Sequence, residues 1–168
     1  MRIFPNLLPR LCRFNGAYSG EGKDAELSKG AQHFLARNAE LLEQFKAADR
    51  VIIAMPMHNF TVTSRLKDYL DNIIVPGQTF QYTREGPQGL MGGHKALLVQ
   101  SSGSVYSTGP LAPWEQSYPF LQTAFGMLGF DSTDIVRAEG TMDPNIGPDV
   151  AVERACAELE QKLPEFLA

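Results

Sequence analysis

The sequence predicts an α/β fold in which a doubly wound parallel sheet is flanked by helices, and three observations carry that prediction. Two short runs, Val51-Ile52-Ile53-Ala54-Met55 and Lys95-Ala96-Leu97-Leu98-Val99-Gln100, are apolar almost throughout and lack a polar face. Strands of that kind belong in parallel sheets covered on both sides. Between and after them lie segments whose apolar residues recur every three or four positions, the spacing of an amphipathic helix. The two kinds of segment alternate, as they must when helices carry the chain back between parallel strands.

Taken in order, residues 1–22 have no sustained period and are punctuated by Pro5, Pro9, Asn15, Gly16, Gly20 and Gly22. From Asp24 to Ala48, Ala31, Phe34, Leu35, Leu41, Leu42 and Phe45 mark a helix with charged residues filling the other positions. The first apolar strand ends at Pro56. A second helix is expected over Val62–Ile74, because Val62, Leu66, Tyr69, Leu70, Ile73 and Ile74 draw one stripe along a cylinder. Pro76 and Gly77 stop it. Gln78 to Gly93 reads as loop, with Gly86-Pro87 and Gly92-Gly93 inside it. The second apolar strand then opens into Ser101-Ser102-Gly103-Ser104. A third helix is expected from Trp114 to Leu128, with Trp114 and Phe120 in the core, and a strand near Thr133–Ala138. The last helix, about Asp149–Phe166, is expected to bury Val152, Cys156, Leu159, Leu163 and Phe166. Three strands are fewer than the roughly five of the usual open order for such sheets.

Composition narrows the class. A length of 168 residues suits one domain spanning 1–168, with an irregular opening, and the apolar (43%) and charged (20%) shares are ordinary for globular chains. A net charge of −4 without any Lys/Arg run is the wrong footing for nucleic acid. No apolar stretch approaches the length of a membrane span, and Met1 to Pro5 lacks the apolar core of a signal peptide. Cys12 and Cys156 form no metal or disulfide pattern, which points to a reducing cytoplasm. No cluster of ligating residues suggests a metal, and no GxSxG elbow suggests a protein nucleophile.

In open parallel sheets ligands collect beyond the carboxyl ends of the strands. Two loops leave such ends here: Pro56-Met57-His58-Asn59-Phe60 and Ser101-Ser102-Gly103-Ser104. Met57 and Phe60 offer polarizable and aromatic surface to a flat heterocycle, and Gly103 allows close backbone approach.

These residues also carry a resemblance. Met55-Pro56-Met57-His58-Asn59-Phe60 followed by Arg65-Leu66-Lys67-Asp68-Tyr69-Leu70-Asp71 resembles the flavin loop and next helix of FMN-dependent NADH:quinone reductases and azoreductases. So, in the same order, do Gly77-Gln78-Thr79-Phe80-Gln81-Tyr82-Thr83, Gly86-Pro87-Gln88-Gly89-Leu90, the Ser101–Ser104 loop with Gly109-Pro110, and Ala138-Glu139-Gly140. The ordered set, from about residue 24 onward, is far more specific than any single motif. It implies a flavodoxin-like homodimer with FMN near the subunit interface. It also implies two-electron, ping-pong transfer from NAD(P)H to a quinone or azo compound. By that resemblance Pro56, Met57, His58, Asn59 and Phe60 pack around the flavin ring, and Ser101, Ser102, Gly103 and Ser104 lie along its pyrimidine edge. Tyr82, Tyr106 and Met127 belong to the substrate pocket, Tyr82 walling the site of the opposite subunit. No side chain is expected to act as a catalytic nucleophile, because the cofactor carries the chemistry.

The chain departs from the family pattern in places. His58 stands where many members have Tyr, Ser102 and Ser104 where an Arg-Gly-type pair is common, and Met127 where an aromatic residue is common. The family also opens with a strand and a serine-containing loop that holds the FMN phosphate at a helix N-terminus. Nothing before Asp24 resembles it, so the N-terminal βα unit is expected to be missing. The alternative expectation is therefore a flavodoxin-like dimerisation or interaction module that binds FMN weakly or not at all. His33 and His94 read as structural or solvated residues.

Overall fold

The computed structural model describes residues 29–168. Within them, α1 (Lys29–Lys46), β1 (Arg50–Pro56), α2 (Ser64–Ile73), β2 (Phe80–Thr83), β3 (Gly86–Gly89), β4 (Lys95–Ser102), α3 (Ser117–Leu128), β5 (Ser132–Glu139) and α4 (Gly147–Leu167) follow in order, with a 3₁₀ turn over Gly109–Trp114. The readings made on residues 1–28 fall outside the described residues, among them the irregular opening, Cys12 and the phosphate loop.

Strands β1, β4 and β5 form a parallel sheet in the order β1-β4-β5. Their register is level: Arg50 pairs Lys95, which pairs Ser132, and at the other end Pro56 pairs Ser101, which pairs Ala138. Three carboxyl ends therefore finish in one row, and the loops that leave them start side by side.

Alternation along the strands divides the core in two. Met55, Ala96, Leu98 and Ile135 face one side, packed with Leu42 and Phe45 of α1, Leu70 and Ile73 of α2, and Leu121, Phe125 and Leu128 of α3. Leu97, Val136 and Ala138 face the other side, against Ala155, Leu159, Leu163 and Phe166 of α4. The doubly wound sheet expected from the sequence is thus present, with both faces covered over β4 and β5. The expectation that β1 is covered on both faces is corrected. Ile52 is 56% exposed and Ala54 is also exposed, because α4 packs mainly across β5 and β4 and meets β1 only at its start, where Arg50 Nε donates to the Phe166 carbonyl at 2.6 Å.

Four other expectations change. The Gln78–Gly93 loop contains a hairpin, β2 pairing antiparallel with β3 from Phe80↔Gly89 to Thr83↔Gly86. Its strand Gly86-Pro87-Gln88-Gly89 shows no apolar alternation. Pairing is secured instead by Gln81 donating to Gln88 and Thr83 Oγ1 donating to the Gly86 carbonyl, both at 2.8 Å. The hairpin docks on the end of α3, where a Cβ on Gly89 would lie 2.2 Å from the backbone of Leu128 and Gly129, so only glycine fits. The helix expected from Trp114 starts instead at Ser117. Pro110 and Pro113 confine the preceding segment to a 3₁₀ turn, and the buried Glu115 carboxylate then accepts from the Ser117 and Tyr118 N–H groups at 2.7 and 3.1 Å, closing the helix start. Trp114 is consequently not core but 54% exposed. On α4 the buried stripe is Ala151, Ala155, Leu159, Leu163 and Phe166, one residue out of phase at its start, and both Val152 and Cys156 are exposed. Two alanines let the helix sit close to Leu97 and Val136, which the larger pair would prevent.

Candidate functional site

The site grows from the level strand ends. Leaving β1, the chain extends the ladder by one bond, Met57 N–H to the Ser101 carbonyl at 2.7 Å. It then reverses in a tight turn closed from both sides: His58 N–H donates to the Thr61 carbonyl at 3.0 Å and Thr61 N–H to the His58 carbonyl at 3.2 Å. Both central residues are left-handed, Asn59 at φ 48° and Phe60 at φ 69°. Asparagine tolerates that region; a bulky aromatic does so at a cost of roughly 1–2 kcal/mol. The strained conformation aims the Phe60 ring outward and its carbonyl inward, where Gln116 N–H donates to it at 2.8 Å. Val62 is buried, and Thr63 then caps α2, its hydroxyl accepting from Leu66 N–H at 3.3 Å.

Leaving β4, the Ser101–Ser104 loop is held differently. The Ser102 hydroxyl donates to the Ser104 carbonyl at 2.8 Å. The Ser102 carbonyl accepts both the N–H and the hydroxyl of Thr141 at 3.1 Å, and the Gly103 carbonyl accepts Met142 N–H at 2.9 Å. Gly103 is not among the left-handed glycines, and its lack of a side chain leaves room for the Met142 sulfur. One row further, Glu139 at the end of β5 accepts Tyr106 N–H at 2.8 Å through one carboxylate oxygen and the Ser107 hydroxyl through the other. The tail of β5 thus braces both the serine loop and the Tyr106 segment.

Between them opens a shallow pocket of about 220 Å³ lined by Met57, Asn59, Phe60, Ser102, Gly103 and Tyr106. Among the described residues, the N–H groups of Gly103 and Ser104 and the side-chain amide of Asn59 have no hydrogen-bond partner. The lining therefore joins thioether and aromatic surface to uncommitted donors. A flat heterocycle with a polar edge meets both requirements, and those donors can stabilise negative charge on a bound ring.

Of the residues singled out from the sequence, the structure brings Met57, Asn59, Phe60, Ser102, Gly103 and Tyr106 to this pocket. Pro56 and Ser101 pair at the strand ends just behind it, Ser104 receives the Ser102 hydroxyl beside it, and His58 forms the exposed shoulder of the turn. Tyr82 and Met127 are not brought to it. Tyr82 is 75% exposed on the hairpin, edge-on to Phe80. Met127 packs toward the core one residue from the end of α3, which returns the chain to the start of β5 and so to the far end of the sheet. His94 is structural: its two ring nitrogens lie 3.2 and 3.3 Å from the carbonyls of Gly92 and Lys46. Sequence reasoning missed Glu139 and Thr141 as supports of the site. An acidic residue at a strand's carboxyl end, followed by Gly140, was the available signal for Glu139.

A parallel sheet under helices with its pocket at a row of carboxyl ends is an open α/β architecture, and the family model described as "Flavodoxin-like fold", which matches residues 8–163, assigns it to the flavodoxin-like class. That match begins well before Asp24, where the ordered motifs start. The chain is 40% identical over 154 residues to the FMN-dependent NADH:quinone oxidoreductase 1 of Lactiplantibacillus plantarum, covering 90% of this chain and 72% of that one. It is 40% identical to the protein of the same name from Bacillus cereus, covering 77% of this chain and 62% of the relative. The crystal structure of an FMN-dependent NADH-azoreductase from Bacillus anthracis in complex with FMN superposes with a TM-score of 0.83 at 33% identity, over 100% of this chain and 76% of that one. The chain belongs to the family of FMN-dependent NADH:quinone oxidoreductases and azoreductases within the flavodoxin-like class.

Proposed function

We propose that this chain binds FMN in the pocket between the Met57–Phe60 turn and the Ser101–Ser104 loop. With it, the chain transfers two electrons by a ping-pong cycle from NAD(P)H to a quinone or azo compound, working as a homodimer. The observation that carries this reading is the lining itself: Met57, Phe60 and Tyr106 wall a pocket that Asn59, Ser102 and Gly103 also line, with the Gly103 N–H and the Asn59 amide free of other partners among the described residues. The names of the relatives supply the cofactor and the donor.

When bound, FMN supplies the two-electron redox chemistry. The residues of the chain bind, orient and shield. Met57 and the rings of Phe60 and Tyr106 give apolar surface to the ring system, and Gly103 and Ser104 N–H, with the Asn59 amide, give donors to its polar edge. Thr141 and Glu139 keep those groups in place through their carbonyl and amide contacts. A second subunit would bring its own exposed Tyr82 and its hairpin toward this pocket, which is how Tyr82 enters the substrate site. Met127 would enter the substrate site through the same pairing. The 1–168 chain acts as one domain in this reading.

An absorbance titration of the purified chain with FMN, followed by NADH oxidation with a quinone acceptor, tests the proposal. Flavin binding with acceptor-dependent NADH consumption supports it. Failure to bind FMN would favour the alternative, a flavodoxin-like dimerisation or interaction module.

A further inference from the structure

The pocket does not end at its lining. Phe60, 41% exposed, is met edge-to-face on one side by Tyr106, with ring centroids 6.3 Å apart and planes at 67°. On another side it is met by Trp114, at 5.2 Å and 87°. Tyr106 lines the pocket, whereas Trp114 stands outside it and is 54% exposed. The Trp114 turn is fixed to the Phe60 turn through the backbone bond from Gln116 N–H to the Phe60 carbonyl, and the Gln116 side chain donates to the Pro113 carbonyl at 3.0 Å. Three rings in edge-to-face contact, held by main-chain bonds and with Phe60 and Trp114 open to solvent, are an expensive surface to leave bare. Phe60 is moreover held at a strained positive φ, and such strain persists where the surroundings over-determine it, characteristically at ligand-binding sites.

We propose that Trp114 is a specificity-determining residue: with Phe60 it extends the pocket into an aromatic shelf that holds the outer ring of a planar, fused-ring acceptor. This deepens the proposed function and rests on its reading of the pocket as the redox site. A single-ring acceptor lying against the flavin held in the pocket would not extend to Trp114. Two-ring acceptors, such as naphthoquinones, gain a stacking surface that single-ring ones do not have. The shelf therefore predicts selectivity by ring number.

Trp114 is the chain's single tryptophan, so its emission reports on the shelf directly. The full chain, with and without FMN, is titrated with 2,3-dimethyl-1,4-naphthoquinone and with duroquinone. Both are fully substituted, so the exposed Cys156 thiol has no open ring position to add to. The naphthoquinone is expected to quench Trp114 saturably and duroquinone only in proportion to concentration. In the turnover assay, Trp114→Leu is expected to lower the kcat/KM ratio of naphthoquinone to duroquinone about three- to tenfold, the scale of one aromatic contact, while Trp114→Phe retains most of it. An unchanged ratio in Trp114→Leu, or purely linear quenching by the naphthoquinone, overturns the proposal. So does a Trp114 already shielded from acrylamide, which would show a second copy covering the shelf. Absence of FMN binding by the wild type is a failure of the redox reading instead, and the titration without FMN still decides whether the shelf binds fused rings.

Discussion

The two loops that make the pocket leave neighbouring strands at the same level yet are held by opposite means. The Met57–Phe60 turn is closed from within by two backbone bonds, with Asn59 and Phe60 in left-handed conformations, and Gln116 N–H and the Tyr106 and Trp114 rings hold only its Phe60 end. The Ser101–Ser104 loop has no such internal closure beyond one serine bond. It depends on Thr141 and Met142, just after β5, which donate to the Ser102 and Gly103 carbonyls, while Glu139 at the end of β5 holds the Tyr106–Ser107 segment that follows. One wall thus stores strain and the other borrows support. Damage to the first should stay local, whereas damage to the second should spread across the pocket.

The sharpest way to break the comparison is at Glu139. Glu139→Ala removes both acceptors from the Tyr106–Ser107 segment and is expected to cost about 1–3 kcal/mol in denaturant unfolding. It should also weaken FMN binding by about tenfold or more. Glu139→Gln, which keeps one accepting oxygen, should fall between it and the wild type. If FMN affinity is the same in all three, the β5 tail does not support the pocket.

Next comes the strained turn. Phe60→Ala and Phe60→Gly both delete the ring, but only glycine relieves the left-handed backbone. Phe60→Gly should therefore be more stable than Phe60→Ala by about 1 kcal/mol, measured in thermal or denaturant unfolding. Equal stabilities would show that the turn carries no strain. A smaller effect is expected from Thr141→Val, which loses the hydroxyl bond to the Ser102 carbonyl but keeps the N–H bond. About 0.5–1.5 kcal/mol is the scale, and hydrogen exchange at Thr141 and Met142, whose N–H groups donate to the loop carbonyls, should quicken more than at His58 and Thr61.

The smallest effect at neutral pH lies behind the site. The Tyr118 hydroxyl donates to the Thr133 carbonyl at 2.8 Å, under the Arg137 guanidinium. Burial, then Asp134, raises its pKa above the ordinary 10.0, with Arg137 and Lys162 pulling the other way. Folding thus favours the protonated phenol. Its contribution is complete below the unfolded value near 10.0 and is lost as pH rises through the raised folded value. Burial raises Tyr69 in the same direction. Tyr118→Phe should flatten the alkaline limb of a stability-versus-pH curve; an unchanged limb would assign that loss to other groups.

The contrast also explains what was legible in the sequence. The apolar runs of β1 and β4 announced parallel strands, and the rule that ligands gather at carboxyl ends pointed to both loops before any geometry was known. What could not be read was phase and support. On α4, Val152/Cys156 and Ala151/Ala155 both continue to Leu159, Leu163 and Phe166 at helical spacing, and only the closeness of helix to sheet selects the alanines. The β3 segment Gly86-Pro87-Gln88-Gly89 has no alternation because its pairing depends on backbone and polar side chains. β1 looked buried on both faces because a continuous apolar run does not say which helices cover it. The left-handed Phe60 had no signal either, since a turn of that type calls for glycine at its second central position. Contacts from β5 to the serine loop join residues nearly forty apart, beyond the reach of any local pattern.

The measurement that bears most directly on the central claim is an absorbance titration of the purified chain with FMN. A pocket that binds flavin gives a saturable change to a bound-flavin spectrum with micromolar or tighter affinity, weakened by Glu139→Ala. A wild-type chain that leaves the FMN spectrum unaltered into the high micromolar range would contradict it.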